Sequence, residues 1–63
     1  MNFRDLEIIL LRDGWILKDI RGSHHQYIHS HKSGKVTIPR HSNGDLNIKT
    51  VRTIFKQAGI EMK

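Results

Sequence analysis

The 63 residues contain no cysteine and a single proline, Pro39. Without cysteine there is no disulfide, no thiolate metal site and no cysteine nucleophile. Domains stapled by bridges or by cysteine-bound zinc are thereby excluded, so packing must hold this fold. Long apolar runs are also missing. The longest, Ile8 to Leu11, is far too short to span a bilayer. Arg4, Asp5, Glu7, Arg12 and Asp13 interrupt the region where a signal peptide carries its apolar stretch. The expected location is the cytoplasm, with no membrane partner. Length sets a further limit, because a chain of this size buries only about 60% of the surface its unfolded form exposes. That leaves room for one thin core in one domain, residues 1–63, and none for a deep pocket around a small-molecule cofactor.

Positive charge is abundant. Eleven Lys and Arg against six Asp and Glu give a net charge of +5, before any of the five histidines is protonated. So basic a domain points to a polyanionic partner, of which nucleic acid is the commonest. The basic residues are spread over the expected helices and strands rather than gathered on one amphipathic helix or tail, which argues against a membrane surface.

Asn2 can cap a helix over about residues 3–13, with Asp5 in the first turn where the helix dipole favours a carboxylate. Phe3, Leu6, Ile9 and Leu10 recur at helical spacing, and Gly14 is a natural stop. Trp15 to Ile20 is rich in β-branched and aromatic residues and predicts a strand. Gly22-Ser23 marks a turn, and His24 to about His31 predicts a second strand. Lys32-Ser33-Gly34-Lys35 predicts a hairpin leading into a third strand, Val36-Thr37-Ile38. Pro39 donates no backbone hydrogen bond, so it ends that strand or places it at an edge. His41 to Leu46 predicts a loop. Asn47 can cap a second helix with Ile48, Val51, Ile54, Phe55 and Ala58 on its buried stripe, closed by Gly59. The fold class expected is α+β in the order α-β-β-β-α, with two helices on one face of a three-stranded antiparallel sheet and the other face partly wet. Double-stranded RNA-binding domains share this order of elements.

All five histidines lie between residues 24 and 41, and three chemistries compete for them. Metal binding would use the same-parity set His25, His29 and His31. A two-residue turn at Ser33-Gly34 would set Val36 opposite His31 and Ile38 opposite His29. His25 and His29, four apart on a strand, are then about 13 Å from each other. Zinc–nitrogen bonds are about 2.0–2.1 Å, so one zinc cannot take both, and no third ligand stands at a motif spacing. No metal is expected. For His29 and His31 a place beside the core is the simpler reading. Catalysis favours His24 or His25, each just after the Gly22-Ser23 turn, where backbone can approach a phosphate and Arg21 is adjacent. RNA cleavage needs a base for the ribose 2′-hydroxyl and an acid for the leaving 5′-oxygen. Histidine suits both, because its unperturbed pKa of about 6.5 lies near cellular pH. Arg21, Arg40 or a lysine can stabilise the charge that develops on phosphorus.

These residues resemble the HicA family of mRNA interferases, the toxin half of HicAB toxin–antitoxin modules. Asp13-Gly14-Trp15 is similar to the family's helix-to-strand junction. Arg21-Gly22-Ser23-His24-His25-Gln26-Tyr27 matches G-S-H-H-x-[FY], and His29 follows at the usual offset. Ile38-Pro39-Arg40-His41 resembles V-P-x-H. Asp45-Leu46, Thr50-Val51 and Lys56-Gln57-Ala58-Gly59-Ile60 resemble the family's ending, with Lys49 standing where a glycine is usual. The resemblance implies a double-stranded-RNA-binding-like fold, endoribonuclease action on mRNA that blocks translation, and one essential histidine, carried to His24 first and His25 second. Arg21, Gly22, Ser23, Lys35, Arg40 and His41 form the expected RNA-binding set. The resemblance also implies a HicB antitoxin covering the active surface, with Trp15, Tyr27 and Phe55 as candidate anchors, although Tyr27 and Phe55 lie on predicted core stripes. The alternative is a non-catalytic RNA-binding module of the same fold.

Overall fold

The computed structural model describes residues 1–40 and 45–61. Its elements are α1 (Phe3–Arg12), β1 (Trp15–Arg21), β2 (His24–His29), β3 (Val36–Pro39) and α2 (Ile48–Ala58). The strands form one antiparallel sheet in the order β1-β2-β3. Both helices cover one face, so the α+β arrangement read from the sequence is the one observed. Asn2 accepts the Asp5 N–H at 2.8 Å and Asn47 accepts the Lys49 N–H at 2.8 Å, satisfying donors that a helix start leaves open. Gly59 closes α2 at φ 65°, a left-handed conformation that costs glycine nothing.

The core joins Leu6 and Leu10 of α1, Trp15, Tyr27, Val36 and Ile38 of the sheet, and Val51, Ile54, Phe55 and Ala58 of α2. Each fully buried Leu, Ile or Val contributes about 1.5–3 kcal/mol. Tyr27 donates its hydroxyl to Glu7 Oε2 at 2.5 Å, tying β2 to α1. Burial first, and then the Glu7 carboxylate, push the Tyr27 phenol well above its usual range, so it stays a donor.

Several details differ from expectation. Trp15 is 1% exposed and belongs to the core, as do Tyr27 and Phe55, so none of the three is a surface anchor. Ile48 is 53% exposed, because the first turn of α2 lies outside the core cluster. Leu46, placed in a loop by its neighbours, is buried. β1 runs one residue further than expected, to Arg21, and β2 stops at His29 rather than His31. Val36 therefore pairs with Tyr27 and Ile38 with His25, not with His31 and His29. Six residues, Ser30 to Lys35, separate β2 from β3.

His29 causes that early end. Its Nδ1 accepts the backbone N–H groups of His31 (2.9 Å) and Lys32 (3.1 Å), pulling the chain out of the strand. The proton therefore sits on Nε2, which donates to the Asp13 carbonyl at 2.7 Å. Lys32 then reaches Asp13 Oδ2 at 2.6 Å and the Ala58 carbonyl at 3.0 Å, joining the C-terminal ends of both helices. The Lys32 hydrogen bond holds the Asp13 carboxyl below its ordinary value of 3.8 against the opposing effect of burial. A lowered folded-state value means stability that is full above about pH 4 and fades as pH falls through the folded value. Lys32→Met is expected to cost about 1–2 kcal/mol at neutral pH, since both partners are partly exposed. The melting temperature of this variant should change less than wild type's between pH 6 and pH 2.

Candidate active site

Antiparallel partners share a sheet face, so the strand register assigns every side chain to one side. His25 pairs with Ile20 and Ile38, Tyr27 with Leu17 and Val36, and His29 with Trp15. These rows face the helices. The outer face carries Ile16 opposite Ile28, then Asp19, Gln26 and Thr37 in one row, then Arg21, His24 and Pro39 in the next.

His24 and His25 consequently have opposite surroundings. His24 opens β2 directly after the Gly22-Ser23 turn, on the central strand's outer face, and its side chain is exposed. No described residue hydrogen-bonds its ring. His25 is only 8% exposed. Its ring meets Phe3 edge-on, with centroids 4.8 Å apart, and its Nδ1 is buried without a partner. A ligand lying across the outer sheet face would reach the first ring and not the second.

The turn itself is tight. Gly22 adopts φ 59°, with open space around it, and lets Arg21 and His24 pair across only two residues. The Arg40 N–H donates to the Ser23 carbonyl at 2.6 Å, so the end of β3 braces the turn. Arg40's guanidinium lies over the Phe3 ring at 5.1 Å, on the helix side, whereas Arg21 belongs to the outer face beside His24. Asp19 Oδ2 accepts Arg21 Nε at 3.0 Å, and Asp19 Oδ1 accepts the Ile20 N–H at 2.8 Å. Those bonds, Arg21's first, hold the Asp19 carboxyl below the usual range.

The structure thus brings Arg21, Gly22, Ser23, His24 and Arg40 to one end of the molecule. Lys35 is not among them. It lies in the β2–β3 connection, past the Tyr27–Val36 pair and more than about 10 Å along the strand from His24. His41 lies outside the described residues. His29 and His31 sit at the far end with Lys32, His29 stacked edge-on against Trp15 at 5.2 Å. Among the described residues, no group of three or more His, Asp or Glu side chains is placed to hold a metal ion. No helix among them is long and apolar enough to cross a membrane. Asp19 was not singled out from the sequence; its only signal there is being two residues before Arg21, which at regular strand pairing would not share His24's face.

What this arrangement can do is proton transfer next to a bound anion. An exposed imidazole across from an arginine, at a turn whose backbone is open to approach, supplies a proton acceptor and a cation, the groups that acid–base chemistry on a phosphodiester uses. A family model described as HicA toxin of bacterial toxin-antitoxin matches residues 3–60, spanning all five elements. Comparison with curated proteins gives no match.

Proposed function

The chain belongs to the HicA toxin family of bacterial toxin–antitoxin systems, and on that premise we propose that it is a metal-independent endoribonuclease that cuts mRNA and so stops translation. The observation that carries this reading is the exposed His24 ring on the outer sheet face, directly opposite Arg21. His24 takes the proton from a ribose 2′-hydroxyl, and the freed oxygen attacks the adjacent phosphorus. The bond from phosphorus to the 5′-oxygen breaks, and that oxygen receives a proton from the imidazolium or from water. Arg21 offsets the negative charge that builds on the phosphoryl oxygens. The products are a 2′,3′-cyclic phosphate and a 5′-hydroxyl.

The site of action is the cytoplasm, and two partners follow. One is mRNA, held by phosphate contacts from Arg21 and the backbone of Gly22 and Ser23, with Arg40, on the helix side, and Lys35 and His41 as more remote contributors. The other is a HicB-like antitoxin, whose acidic groups would complement the basic end around His24. Trp15, Tyr27 and Phe55 are buried and offer it no anchors.

Incubating the protein with an mRNA in excess chelator tests the reading. Cutting is expected to persist and to leave cyclic-phosphate and 5′-hydroxyl ends. RNA that is bound but left whole favours the non-catalytic module, and cutting lost to chelator favours a metal route.

A further inference from the structure

Resting on the reading of His24 as the cleaving group, we infer that Asp19 is a positioning residue, which holds Arg21 by its Nε so that the outer amino groups of the guanidinium engage the scissile phosphate. β1 carries an irregularity. Leu17 pairs with Tyr27 and Asp19 with Gln26, leaving Lys18 as an extra residue, a β-bulge. Before the bulge, odd-numbered residues of β1 face the helices, as Trp15 and Leu17 do. After it the parity inverts. Asp19 and Arg21 face outward with Gln26 and His24, and Ile20 turns inward opposite His25. In a regular strand Ile20 would stand opposite His24 and Arg21 would point away from it. One inserted residue therefore delivers both charged side chains to the cleaving group.

Stability does not account for the pair. The Arg21 and Asp19 side chains are 76% and 43% exposed, and ion pairs this open contribute little to folding. Simple attraction does not account for it either, because a carboxylate beside a site for a polyanion repels the substrate. Orientation does. Arginine presents five N–H donors in a planar fork. Asp19, itself fixed by the Ile20 N–H, takes the Nε edge. The four N–H donors on the two outer nitrogens remain free for phosphate oxygens, the bidentate arrangement arginine favours.

The test measures steady-state cleavage of one RNA substrate by wild type, His24→Ala, Asp19→Asn, Arg21→Lys and the double variant Asp19→Asn/Arg21→Lys, with melting temperatures alongside. Asp19→Asn is expected to lower kcat about tenfold, with KM unchanged or lower and the melting temperature unmoved. In the Arg21→Lys background, which has no Nε to hold, the same substitution should cost less than about twofold. Asp19→Asn that turns over as fast as wild type, or faster, overturns the proposal by leaving the carboxylate only a repulsive role. An equal loss in both backgrounds also overturns it, since Asp19 would then act without Arg21. Cutting that survives His24→Ala removes the reading of His24 as the cleaving group, whatever Asp19 does. Dependence on His24 with indifference to Asp19 removes only the positioning role.

Discussion

His24→Ala is expected to reduce RNA cleavage by about 10²–10⁴-fold, the usual contribution of a positioned acid or base. The melting temperature should stay close to wild type's, because an exposed side chain on the outer sheet face gives up little packing. That separation of activity from stability distinguishes a group that touches substrate from one that supports the fold. His25 provides the contrast, since its ring packs on Phe3 beneath the sheet. His25→Leu should cut RNA at near the wild-type rate, and removing a buried nitrogen without a partner offsets part of the change in packing. A rate assay on purified variants with matched melting curves checks both. If His25→Leu loses activity and His24→Ala keeps it, the assignment reverses and the outer face is not where cleavage occurs.

The second large effect is structural. Gly14→Ala is expected to destabilise the fold by about 3–5 kcal/mol, enough to unfold much of a small domain at 37 °C. Gly14 adopts φ 99°, a region L-residues enter at a cost of about 1–2 kcal/mol. A Cβ there would also lie 2.7 Å from His29 Nε2. That ring cannot swing aside cheaply, because its two nitrogens make three hydrogen bonds and it leans on Trp15. Breaking them costs about 1 kcal/mol each. Chemical denaturation of the variant checks the value. A loss under about 1 kcal/mol would mean that the His29 ring repositions freely.

Elements carried by local chemistry were legible in the sequence. Asn2 and Asn47 announce helix starts, Gly59 announces an end, and the stripe of Val51, Ile54, Phe55 and Ala58 announces the face that α2 buries. Gly22-Ser23 announces the turn that presents His24. What remained hidden depends on contacts between distant residues. The register of β3 goes with His29 capturing the N–H groups two and three residues ahead, its ring held by the Asp13 carbonyl sixteen residues back. Similarly, strand periodicity alone gives alternate residues to opposite faces, and the extra residue at Lys18 breaks that rule without any glycine or proline to signal it. The adjacent histidines were recognisable as a candidate pair, while their division into one ring outside and one ring inside required the direction in which the sheet buries its faces. Lys32 looked like part of a hairpin tip and proved to be the residue that fastens α2 to the α1–β1 junction.

The connection between β2 and β3 has a practical consequence. Ser33 is exposed there, at the opposite end of the sheet from His24. Because the native chain has no thiol, Ser33→Cys would provide a unique handle for a fluorophore or a surface tether. A dye at that position would stand clear of His24, so the proposed antitoxin capture and RNA turnover could be followed on one labelled preparation.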